Sequence, residues 1–188
     1  LLREMMPGVE AATLVDNGSL QFKRDDEYFT SQNVIYSDEK FFDIFTIKML
    51  QGDGKSALIE PEKILLSQSQ AKAIFGEEDP MGQSLMVNEN NSFTVTGVFQ
   101  DLPVNVHLPI DALCSMKSDQ LLNGGEDFFE NWSNWNYLLY VRMHPNADLT
   151  NASEVFYQKL SGYLEAKSEE NRSAPKFTLR HIKDIYFD

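Results

Sequence analysis

VIYSDEKFFDIFTIKMLQGD (residues 34–53), ILLSQSQAKAIFGEEDPMGQSL (64–85) and FTVTGVFQDLPVNVHLPIDAL (93–113) carry most of the information in this chain. Each joins short apolar runs to Gly, Pro, Asp or Asn, the punctuation of turns and helix ends. In the first block, Ser37-Asp38 can cap a short helix over 39–45, with Phe41, Phe42 and Phe45 on one face. An aromatic stripe of that kind belongs to a core. Residues 47–50 then read as a strand ending at Gly52. In the second block, 64–66 reads as a strand. Ser67, with Gln70 three positions on, marks a capping box for a helix over 68–75, and Gly76 fits the left-handed position that ends it. From the end of the second block into the third, 84–87 and 93–99 form a hairpin about 88–91, and 108–114 is a further strand.

Working outward, residues 1–6 read as the end of a helix stopped by Pro7-Gly8. Residues 9–15 read as a strand, Asp16-Asn17-Gly18 as a turn, and 20–23 and 28–36 as two more strands. Towards the C-terminus, 119–130 carries weak periodicity and Gly124-Gly125, and reads as a loop with one helical turn. Residues 135–143 are rich in aromatic and branched side chains and read as a strand. Residues 149–167 form the clearest helix, with Ala152, Val155, Phe156, Leu160, Tyr163 and Leu164 on one stripe. Residues 177–182 close the chain as a strand, so the last third reads strand–helix–strand.

The chain has 188 residues, enough for one domain with a real core or two small subdomains. Its formal net charge is -13. A surface that negative repels phosphate backbones and anionic headgroups, which argues against nucleic-acid binding. No run of 18 apolar residues exists to span a membrane. Both ends read as cut, as in a domain excised from between membrane segments. The single cysteine, Cys114, has no partner for a disulfide and sits in an apolar run, as a buried small hydrophobe does.

The residues offer little chemistry. His107, His144 and His181 lie at no ligand-pair spacing, so no metal is expected. The runs Asp25-Asp26-Glu27, Glu77-Glu78-Asp79 and Glu169-Glu170 read as solvated surface. No phosphate loop or nucleophile elbow occurs, and neither catalytic residues nor a cofactor are assigned. The segment Asn131-Trp132-Ser133-Asn134-Trp135 combines rings and amides that could stack on and hydrogen-bond a sugar. Its plainer reading is a strand entry whose rings pack in the core.

The three blocks, in this order, resemble the extracytoplasmic core domain of MacB/FtsX-like ABC transporter permeases of the type found in Bacteroides-like bacteria. FFDIFTIKMLQGD is similar to the family's "FF-x-x-F…L-x-G-D" block and AKAIFGEEDPMGQSL to its "F-G-x-x-x-P-x-G" block. FTVTGVFQDLPVNVHL resembles the "T-G-V-x-x-D-x-P-x-N-S-H" block, with Val106 in place of Ser. LLREMMPGVEAAT and LRHIKDIYF resemble the family's opening and closing segments. The resemblance implies an α+β fold in which both chain ends, 1–57 and 132–188, form a porter-like α/β subdomain. Residues 58–131 would form an inserted β-rich, sabre-like subdomain. It implies a non-catalytic domain on the periplasmic side of the inner membrane, within a membrane-embedded permease. The implied partners are a cytoplasmic ABC ATPase, a second permease copy and a periplasmic adaptor or effector. The domain would couple ATP hydrolysis to export or signalling. The rival expectation is a secreted glycan-binding module using Trp132 and Trp135.

Overall fold

The computed structural model describes residues 6–88, 90–124, 137–167 and 179–185. In chain order the elements are β1 (Val9–Arg24), β2 (Glu27–Ser37), α1 (Phe41–Ile44), β3 (Met49–Gly52), α2 (Gly54–Ala57), β4 (Lys63–Ser67) and α3 (Gln68–Phe75). There follow β5 (Ser84–Val87), β6 (Asn91–Phe99), β7 (Ala112–Ser115), α4 (Met116–Asn123), β8 (Leu138–Met143), α5 (Leu149–Lys167) and a 3-10 turn, Ile182–Asp184. This is the mixed α and β architecture expected from the sequence. It falls into two units, Thr13–Tyr140 and a second made of Leu1–Ala12 with Val141–Asp188. Within Thr13–Tyr140, β3 pairs with β6 and β2 with β7, each pairing linking a segment before residue 58 to one after it.

The larger unit is built on a closed ring of strands. β1 pairs with β2, β2 with β7, β7 with β4, β4 with β6, β6 with β5, and β5 returns to β1. The β2–β7 and β4–β6 pairs are parallel and the rest antiparallel. Closure removes free edges, which open sheets must protect by other means. A small barrel has room inside only for side chains. Here Leu20, Phe22, Val34, Tyr36, Ile64, Leu66, Leu85, Val87, Phe93, Val95, Ala112 and Cys114, drawn from all these strands, fill it. Successive strand residues face opposite ways. The alternate set, Val15, Ile35, Leu65 and Leu113, therefore lies outside, joined by Phe99 beyond the register slip between Val95 and Gly97 of β6, and is covered by Phe41 of α1, by Ala57 and Leu58, and by Leu108 and Ile110. β6 carries β5 along Asn91–Thr94 and β3 along Gly97–Phe99.

β4 and β7 are antiparallel neighbours, so the helices that follow them leave the ring at opposite ends. Ala71, Ile74 and Phe75 of α3, and Met116 and Leu122 of α4, pack onto the barrel core.

Several elements differ from the sequence reading. Asp16-Asn17-Gly18 is not a turn, because β1 runs unbroken through it. The register instead slips between Gly18↔Val34 and Leu20↔Ser31, where β2 carries the extra residue. That bulge is held by Asn33, whose amide donates to Asp111 Oδ2 at 2.9 Å. The chain reverses at Asp25, which takes φ 53°. Residues 116–123, read partly as loop, form α4. The strand expected over 108–114 is confined to Ala112–Ser115, and α1 begins only at Phe41, with no side-chain cap at its start. Of the expected closing strand, 177–178 lie outside the described residues and Ile182 opens a 3-10 turn instead.

In the smaller unit, the opening of β1 runs beside the end of β8, where Arg142 Nε donates to Glu10 at 3.2 Å. His144 N–H donates to the Gly8 carbonyl at 2.7 Å. Ala152 and Phe156 of α5 are buried, and Leu179 N–H donates to Ser153 Oγ at 3.1 Å. α5 has the bounds read from its stripe. The helix expected at 1–6 lies outside the described residues except for Met6.

Candidate functional site

The residues that punctuate the three blocks have structural duties. Gly52 takes φ 75°, and a Cβ there would stand 2.1 Å from the Thr96 carbonyl oxygen. Asp53 caps α2 by accepting from Ser56 N–H at 3.1 Å, and this bond holds its carboxyl below the usual range. Ser67 Oγ caps α3 by accepting from Gln70 N–H at 3.2 Å. Asp101 adds a second cap from across the fold, accepting Ser69 N–H at 2.9 Å. Gly82 donates its N–H to Val95 at 2.8 Å with φ 74°. Each of these residues is occupied in holding backbone, which leaves none of them as a reactive group.

The histidines are not brought into a ligand set. His107 packs against Phe45 and Tyr140, with ring centroids 6.3 and 5.8 Å away. Burial lowers its pKa, and its Nε2 is buried without a partner. His144 Nδ1 accepts from Asn146 N–H and His181 Nδ1 from Lys183 N–H, both local turns. Among the described residues no group of three or more His, Cys, Asp or Glu could hold a metal. Glu78 pairs with Arg24 and Glu77 with Lys72, and Asp25, Asp26 and Glu27 are exposed. Glu169, Glu170 and the Trp132/Trp135 segment lie outside the described residues.

The sequence reading missed one polar cluster, at the end of the barrel where α4 sits. Register places Asp16 of β1 opposite Tyr36 of β2, Tyr36 beside Cys114 of β7, and Cys114 opposite Ile64 of β4. The row is therefore polar at one end and apolar at the other. Ser115, fully buried, caps α4 by accepting Ser118 N–H at 3.2 Å. Ser118 Oγ in turn accepts Glu62 N–H at 3.1 Å. One turn into the helix, Asp119 is 2% exposed, and its Oδ1 accepts the Asn123 amide at 2.9 Å. Asp119 Oδ2 and the Tyr36 hydroxyl are buried without partners.

Burial raises the pKa of Asp119, and the nearby Asp16 carboxyl raises it further. Asp16, half-buried, is raised by its own desolvation. Tyr36 and Cys114 are both pushed up by burial, with Asp119 adding to each. Cys114 is thus an inert buried thiol, as its apolar surroundings in the sequence implied. The only sequence sign of this cluster was Ser115 three residues before Ser118, a weak cap signal.

Among the described residues no helix is long and apolar enough to cross a membrane. The profile of the MacB-like periplasmic core domain matches residues 1–156. A domain of a protein designated a permease from Porphyromonas gingivalis has the same fold. It superposes with a TM-score of 0.71 at 24% identity, covering 90% of this chain and 68% of its own. The periplasmic region of MacB from Actinobacillus actinomycetemcomitans gives 0.60 at 20% identity, covering 84% and 68%. The extracellular domain of the noncanonic ABC-type transporter YknZ from Gram-positive bacteria gives 0.64 at 13%, covering 86% and 79%. No curated protein matches the chain in sequence. The three structures speak for the fold, and the profile, which spans most of the chain, speaks for the family: this chain belongs to the MacB-like periplasmic core domains.

Proposed function

We propose that the chain is the extracytoplasmic domain of an ABC transporter permease and acts without catalysis. In this reading an ATPase on the cytoplasmic side drives the parent protein's membrane segments. The domain passes that motion to a second permease copy and to a periplasmic partner, in export or signalling. The observation that carries the reading is the family profile over residues 1–156. The structural duties of Gly52, Asp53, Ser67, Gly82 and Asp101 support it, since the motif residues are spent on the fold. The porter-like (1–57 and 132–188) and sabre-like (58–131) subdomains belong to this proposal.

The test uses the parent permease in its own cells. Asp26, exposed at the β1–β2 turn, is replaced by Cys, while the native Cys114 is buried. A membrane-impermeant maleimide should label D26C in spheroplasts without lysis. Labelling only after lysis would place the domain on the cytoplasmic side and overturn the proposal. For the coupling, paired spin labels on exposed positions should change their separation when ATP is added to the reconstituted transporter. An unchanged separation through turnover would refute mechanical transmission through this domain.

A further inference from the structure

At the α4 end, the apolar barrel finishes in two carboxyl groups. Asp119 stands on the first turn of α4 with Oδ2 buried and unpartnered. An ionised oxygen so placed bears the full cost of lost hydration. Asp16 reaches the same place from β1, with Oδ1 accepting Asn17 N–H at 2.8 Å, and its carboxyl meets that of Asp119. Two ionised carboxylates cannot hydrogen-bond, because both only accept. They also repel, so one such group in a close pair keeps its proton. A proton between them is the donor that Asp119 Oδ2 lacks.

We infer that Asp16 and Asp119 share one proton, and that this proton fastens α4 to the β1–β2 hairpin, so that ambient pH sets how firmly this end of the barrel is closed. Among the described residues the surrounding groups offer no substitute. β2 contributes the Tyr36 hydroxyl and β7 the Cys114 thiol, both kept neutral by burial. α4 contributes the neutral Asn123 amide, and the segment before β4 meets α4 through the Glu62 N–H on Ser118 and through Glu60, whose carboxylate is paired with Lys63 and feels the Lys117 charge. Among the described residues no cation acts on either carboxyl.

The pair titrates as a unit. The folded chain holds the proton more tightly than the unfolded chain, whose carboxyl value is near 3.8. The stabilisation is therefore complete below that value and is lost as pH rises through the raised folded value. Alkaline conditions loosen α4.

Infrared spectra of the chain and of Asp119→Asn and Asp16→Asn test this. A neutral carboxylic-acid band should persist in the folded wild type well above the unfolded carboxyl value, be missing from Asp119→Asn, and titrate away at lower pH in Asp16→Asn, where burial alone raises Asp119. Absence of the band from folded wild type, or its survival to the same pH as in wild type in either variant, would overturn the inference. If D119N fails to fold, D16N, altered at a half-buried position, still decides the matter. The thermal midpoint of D16N should gain on that of wild type as pH rises above the unfolded carboxyl value of 3.8. A difference that stays constant across that range would also overturn it.

Discussion

Gly18 lies against the ring of Tyr36: a Cβ at position 18 would come within 2.9 Å of Tyr36 Cε2. The ring is buried and cannot swing out. Gly18→Ala should therefore destabilise by about 1–3 kcal/mol through overpacking, read from the denaturant midpoint. Tyr36→Phe should do the opposite or nothing, since the hydroxyl it removes is buried without a partner. A cost from Tyr36→Phe as large as that from Gly18→Ala would contradict this picture.

Arg24 holds the end of α3 in three ways. Its Nη1 donates to the Ile74 carbonyl at 3.1 Å, its other nitrogen pairs with Glu78, and its guanidinium lies 4.7 Å from the Phe75 ring centroid. Glu78 itself is largely exposed. Arg24→Ala should cost about 1–3 kcal/mol, and Glu78→Ala less than about 1 kcal/mol, as for other solvated ion pairs. Equal losses in thermal unfolding would mean that the ion pair, not the carbonyl and ring contacts, dominates.

The two serine caps should differ. Ser67→Ala removes the acceptor for Gln70 N–H at the start of α3, but Asp101 still accepts Ser69 N–H. Its cost should be about 1 kcal/mol. Ser115 is fully buried and also meets the Ser118 hydroxyl that holds Glu62 N–H. Ser115→Ala should reach about 2 kcal/mol, the upper end for a cap. Urea titration of the two variants checks the order.

His107 should make the chain acid-sensitive. Its pKa is lowered by burial, so the unfolded state binds the proton more readily. Stability then falls as pH drops below the unfolded imidazole value of about 6.5. His107→Phe keeps a ring beside Phe45 and Tyr140 and should flatten the profile below about pH 6.5 relative to wild type. This slope has the opposite sign to that of the Asp16–Asp119 pair, so each is visible only as a difference between variant and parent.

What was legible in the sequence was local. Ser67, Gln70 and Gly76 bracket α3 at the bounds observed, and the apolar stripe of α5 does the same. Asp16-Asn17-Gly18 misled because turn chemistry and close approach both select glycine, and here the ring of Tyr36, not a turn, is the reason. α4 was hidden because Ser118 and Asp119 are polar yet buried, which blurs its apolar face. The ring of strands and the carboxyl pair were out of reach. Phe22 meets Val87, and Asp16 meets Asp119, only through pairings distant in sequence.

The ring closes along a short seam, for β5 meets β1 only at Phe22↔Val87 and Lys23↔Met86. Every other junction of the ring is longer. A cylinder with one brief seam has a preferred line of splitting. That line should be the last to zip in folding, after the β5–β6 hairpin docks, and the first to part in unfolding. Force or heat would thus flatten the barrel into an open ribbon with Phe22 and Val87 at its raw edges, before any other strand came away.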